Sequence, residues 1–170
     1  MRRGFTIVEI IIIIAVMGIL LVLGIVTLSD TQVKARDSER IADVQAISNS
    51  LDVYYDSGGN EGTTTTGKYP PTSFISQGDA YILQVLRDID ESSLIAPGAA
   101  DIGATMVAAT NTTQTAAGVT PQPTISQYVY QALKSDNTLC TLTTEECRKF
   151  NIYYRLEANN TVQQEISRNQ

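Results

Sequence analysis

The stretch Met1-Arg2-Arg3-Gly4-Phe5-Thr6-Ile7-Val8-Glu9-Ile10 opens a segment that stays apolar as far as Leu28. Two basic residues lead into it, and between Phe5 and Leu28 the single charge is Glu9. Coiled as an α-helix at about 1.5 Å per residue, Phe5 to Leu28 extends roughly 36 Å, enough to cross a bilayer's hydrocarbon core with some tilt. Ile10 to Ile14 are consecutive isoleucines that in water would read as a buried strand. In lipid every backbone amide needs an internal partner, so the same run is expected to be helical. Arg2 and Arg3 are expected to hold the short N-terminus in the cytoplasm and send the chain beyond Leu28 outward.

Two ordinary readings account for this segment incompletely. A secretory signal would end in an A-x-A-like site, whereas Ser29-Asp30-Thr31-Gln32 runs straight into a helical pattern. A plain single-pass anchor leaves Glu9 without a purpose. A carboxylate costs about 2.5–3.5 kcal/mol at the centre of a membrane helix on insertion scales, and less near its end.

Gly4-Phe5-Thr6-Ile7-Val8-Glu9 resembles the processing site of type IV pilins and the related pseudopilins. The shared pattern is a short basic leader, a Gly, a Phe, a Glu four residues later and an unbroken apolar stretch. The close likeness covers residues 2–28, and a looser one reaches Pro71 through Tyr69-Pro70, where the family often has Tyr-Pro after its long helix. The resemblance implies cleavage between Gly4 and Phe5 by a prepilin peptidase, methylation of the new Phe5 amine, and a leader, residues 1–4, left in the cytoplasm. It implies an α+β fold, a long N-terminal helix packed on a small antiparallel sheet. The implied role is that of a structural subunit of an extracellular type IV pilus filament, with a minor pilin or type II secretion pseudopilin as the alternative. A membrane-anchored binding domain that does not polymerise is the reading outside the family. Implied partners are the peptidase, an assembly platform with its cytoplasmic ATPase, and identical subunits. The precursor would sit in the cytoplasmic membrane before joining a filament outside the cell.

The motif also makes electrostatic sense. Cleavage would leave a positive amine on Phe5, and Glu9 supplies a negative partner within the same layer. Two unit charges about 4 Å apart attract by about 4 kcal/mol at an effective dielectric near 20. The pair is open to formation within one subunit or between neighbours.

Composition narrows the function further. The net charge of −6 argues against nucleic acid as the partner of a single subunit. With no histidine, and no Gly-rich phosphate loop, the chain lacks the usual tools of an enzyme, and no cofactor is expected.

After Leu28 the apolar positions Val33, Ile41, Val44, Ile47, Leu51 and Tyr54 or Tyr55 recur at steps that mark one helical face. Residues 29–56 are therefore expected to continue the helix, with Asp30–Lys34 and Arg40–Asp43 as ion pairs. A separate amphipathic helix, broken off near Ser29, is the alternative. Many family members have a proline late in the apolar half; here Gly18 and Gly24 are the weak points, leaving local unwinding or close helix approach open. Ser57-Gly58-Gly59-Asn60 should end the helix.

Residues 57–170 form the outer domain. A short helix is expected from Asp79 through Ile89, a weak strand around Thr105–Ala109, and strands at 126–133, 150–157 and 161–166, the last two joined by a tight turn at Asn159-Asn160. Cys140 and Cys147 are the only cysteines, and outside the cytoplasm a disulfide is the default. Pilins often enclose a larger loop, so the resemblance assigns this small one no surface role. Thr143-Thr144-Glu145-Glu146 between them reads as a helix start. Asp136, Glu145 and Glu146 are either calcium ligands or a solvated acidic turn. Asn111-Thr112-Thr113 and Asn159-Asn160-Thr161 match a glycosylation triplet.

Overall fold

A computed structural model describes residues 6–58, 66–86, 89–99 and 106–169, leaving aside the side chains of 23–28 and of Asp79. The Gly4–Phe5 junction lies outside the described residues. One helix, α1, runs unbroken from Ile7 to Ser57, through Gly18, Gly24 and Ser29 alike. At about 1.5 Å per residue it is roughly 76 Å long. Gly58 closes it at φ 77, with its N–H donating to the Tyr54 carbonyl at 2.8 Å. That left-handed φ suits a residue without Cβ.

Among the described residues no helix is long and apolar enough to cross a membrane. Within the expected span 5–28 the described side chains end at Val22, so the span extends beyond the described side chains at both ends.

The C-terminal half of α1 packs on a four-stranded sheet of order β1-β2-β3-β4. The strands are β1, Met106–Ala108; β2, Tyr128–Leu133; β3, Lys149–Arg155; and β4, Val162–Ile166. The arrangement is α+β, but the sheet is mixed rather than antiparallel. β2, β3 and β4 pair antiparallel, while β1 lies parallel to β2 with Val107 opposite Val129. A parallel neighbour needs a crossover connection of a dozen or more residues. Segment 109–127 supplies it, whereas its loop-like composition alone announces no direction.

Three local expectations are also corrected. α2 spans Asp79–Val85 and stops at Leu86, whose extended backbone (φ −82, ψ 120) turns the chain before Ile89. The β3–β4 connection is wider than a two-residue turn: Leu156 N–H donates to the Thr161 carbonyl, and Asn160 takes φ 55 within the loop. No helix starts at Thr143, because the Glu145 carboxylate accepts the N–H groups of Thr141 and Leu142 and fixes a turn instead.

The core lies between α1 and the sheet. Val44, Ile47 and Leu51 share one buried cluster with Tyr69, Phe74, Ile82 and Leu86 and with Tyr128, Tyr130, Phe150 and Ile152 of the sheet. Burying each large apolar side chain contributes about 1.5–3 kcal/mol. Strand alternation sends Val129 and Tyr153 to the opposite face, where Ala109 and Val119 of the crossover cover them. β2 is consequently buried on both faces.

Candidate assembly surface

The first turn of α1 is built by Thr6. Its extended backbone (φ −85, ψ 151) puts its hydroxyl within 3.3 Å of the Glu9 N–H, which it accepts. Thr6 is thus the N-cap and Glu9 the third helical residue, where a carboxylate complements the helix dipole by about 0.3–1 kcal/mol. Among the described residues Glu9 has no ion-pair partner; Phe5, its expected partner, lies outside them.

Apart from Glu9, the helix from Ile7 to Val22 is apolar on every side, and every described side chain is exposed. Helices apolar all round are ordinarily covered by lipid or by other protein. Midway, Gly18 leaves open space where a Cβ would stand, and Ile14, Ala15, Ile19 and Val22 flank the resulting groove.

Charge takes over where α1 meets the sheet. Arg40 is completely buried, while Ile41, which shares the apolar spacing of Val44 and Leu51, is 37% exposed. Asp37, Arg40, Val44, Ile47 and Leu51 succeed one another at steps of three and four, so the two charged residues continue the apolar stripe and Ile41 falls beside it. Arg40 pairs with Asp37 at 2.6 Å, not with Asp43. It also donates through Nη2 to the carbonyls of Ile125, at 2.7 Å, and Pro97, at 3.1 Å. Its Nε–H has no hydrogen-bond partner among the described residues. Asp37 accepts the N–H groups of Glu157 and Ala158 at 2.8 and 2.9 Å, and Arg36 forks onto the Glu157 carboxylate at 2.8 and 2.7 Å. The β3–β4 turn is thereby fastened to the helix just where the helix leaves the sheet.

One turn further along, Asp43 accepts from the Tyr128 hydroxyl at 3.3 Å. Burial pushes its pKa up to about 6; the Tyr128 hydrogen bond works in the opposite direction. Burial likewise pushes the Tyr128 hydroxyl far up.

At the far end of the sheet Cys140 and Cys147 form a disulfide. The Cys140 carbonyl accepts the Thr72 N–H at 2.9 Å and the Cys147 carbonyl the Tyr69 N–H at 2.8 Å, so the closed loop holds the segment after α1. The acidic residues nearby are engaged separately. Asp136 accepts from Thr138, Glu145 from Leu142, Thr141 and Lys134, and Glu146 from Arg148. Hydrogen bonds from the Leu142 N–H, Lys134 and the Thr141 N–H hold the Glu145 pKa down at about 2. No metal-holding group of three such side chains occurs among the described residues. The Asn111 amide is also turned inward, donating to the Gly118 carbonyl at 2.7 Å.

The Asp37–Arg40 fastening is not found from the sequence, although Asp37 and Arg40 share the helical phase of Val44, Ile47 and Leu51. Nor is Gln131, a buried amide within β2 that nothing in the strand pattern singles out.

Among known proteins, the sequence is similar to type II secretion system core protein G of Klebsiella michiganensis. The two are 30% identical over 107 residues, 57% of this chain and 75% of the relative. No family model matches, and no solved structure matches.

Proposed function

Because the chain belongs to the family of type II secretion system core protein G, a pseudopilin related to type IV pilins, we propose that it is the structural subunit of a pilin-type filament. The observation that carries this reading is the bare apolar half of α1, with Glu9 in its first turn, continuing without a break into the half that is fastened to the sheet. In the precursor, residues 5–28 serve as the membrane anchor. Cleavage after Gly4 frees the Phe5 amine, which becomes methylated. Glu9 then pairs with the Phe5 amine of an adjacent subunit and sets the axial stagger. Once a helix leaves the lipid, burial against identical helices replaces the lipid contact. The prepilin peptidase and an assembly platform with its ATPase act on the subunit, which itself performs no catalysis. The precursor resides in the inner membrane, and the polymer stands in the periplasm or outside the cell.

Two filaments are compatible with this chemistry. The N-terminal motif suits a type IV pilus subunit, and the relative favours a secretion pseudopilin. Recovery of this chain as the main component of filaments sheared from cells supports the pilus; short filaments tied to protein export support the pseudopilus. Glu9→Ala tests the shared step. Accumulation of the variant in the membrane without filaments is the expected result, and normal filament yield would remove Glu9 from the assembly step.

A further inference from the structure

At its average of 18% charged residues, any 32 residues of this chain would carry about six charges, yet Ile102 to Leu133 carries none. The described part of that span is β1, the crossover 109–127 and β2. The crossover is not a loose loop. Gln131, fully buried in β2, donates to the carbonyls of Asn111, at 2.7 Å, and Thr113, at 3.2 Å. Its own carbonyl accepts from Asn151, at 2.8 Å, and Tyr153, at 3.0 Å. The amide's full capacity of two donors and two acceptor sites is used in fastening the crossover to the sheet. Within the crossover, Thr110 N–H donates to the Thr120 carbonyl at 2.7 Å, and Gln122 to that of Val119 at 2.8 Å. Arg155 holds the Pro123 carbonyl at 2.8 Å. The crossover turns a short, uncharged set of side chains outward: Thr112, Gln114, Thr115, Ala117 and Pro121, with Ile125 46% exposed at one edge.

We propose that this face is where the globular part of one copy docks on a neighbouring copy. The inference rests on the filament reading and adds the surface through which the outer domains meet. The full chain carries a net charge of −6, and cleavage after Gly4 would remove Arg2 and Arg3 and leave it more acidic, so identical subunits repel one another. Like charges set opposite each other across an interface cost several kcal/mol, and charged residues are depleted at interface cores. A polymer of acidic subunits therefore needs at least one face on which no carboxylate meets another. Among the described residues of the outer domain the crossover offers such a face, and its inward hydrogen bonding keeps the entropy lost on docking small.

The test replaces Gln114 with a photo-crosslinking benzophenone amino acid in the full-length chain, assembled in cells and sheared. Irradiated filaments should yield covalent dimers of this chain. In parallel, Thr112→Glu with Gln114→Glu should lower filament yield about tenfold, leave the unfolding transition unchanged, and recover with added salt, which screens charges beyond about 8–10 Å. Filaments that form normally but give no adduct between copies overturn the proposal, whatever the charged variant does. An adduct to any other molecule overturns it too. If the unaltered chain forms no filament, the filament reading falls, and this contact falls with it.

Discussion

The Asp37 carboxylate accepts the backbone N–H of Glu157 at 2.8 Å, joining the emerging end of the helix–sheet contact to the β3–β4 turn across 120 positions of sequence. The same carboxylate holds Ala158 N–H and neutralises the buried Arg40. Three groups therefore lose their partner when it is removed. Asp37→Ala should destabilise the full-length chain by about 3–5 kcal/mol, the usual range when one side of a buried ion pair is deleted. Denaturant unfolding in detergent measures it. The half-buried Arg36–Glu157 pair sits beside it, and Arg36→Ala should cost only about 1 kcal/mol or less.

Asp43 makes the helix–sheet seam sensitive to pH. Its pKa is raised from 3.8 to about 6 in the folded chain, so the protonated form is favoured by folding. The stability this contributes is complete below about pH 4 and is lost as pH rises through about 6. Asp43→Asn keeps an acceptor for Tyr128 and removes the buried charge. It should stabilise the chain at pH 7 by on the order of 2 kcal/mol and flatten the stability profile between pH 4 and 7. A variant whose profile keeps the same slope would place that titration elsewhere.

The disulfide loop should act on the segment after α1. Reduction, or Cys140→Ala with Cys147→Ala, should cost about 2.5 kcal/mol in the chain-entropy model. Because the two cysteine carbonyls accept the Thr72 and Tyr69 amides, protection of those amides from hydrogen exchange should fall first. Amides of β3 should keep theirs.

Gln131→Leu is the sharpest probe of the crossover. It removes four hydrogen bonds and leaves the carbonyls of Asn111 and Thr113 and the Asn151 and Tyr153 donors without their partner. Orphaning the buried Asn151 and Tyr153 donors and the part-buried Asn111 and Thr113 carbonyls should cost about 2–4 kcal/mol. Faster hydrogen exchange confined to segment 109–124 would locate that loss.

How far the sequence speaks depends on the kind of signal each element carries. The long helix is legible because its apolar period and its lack of proline hold over many turns, and Ser57-Gly58 marks its end. The three later strands are legible from β-branched and aromatic runs. The direction of β1 is not, since Met106–Ala108 is short and its pairing depends on a crossover with no periodicity. Arg40 reads as a surface residue because charge is usually solvated, and only the partners at 97, 125 and Asp37 make its burial tolerable. Thr6 and Glu9 are legible as a motif, while the geometry adds the cap that joins them.

Everything proposed for the filament begins with the N-terminus, and mass spectrometry of the chain sheared from cells reads that N-terminus. Pilin-type processing yields a chain that begins at Phe5 with a methylated amine. A chain that keeps Arg2 and Arg3 and occurs only in membranes would contradict it.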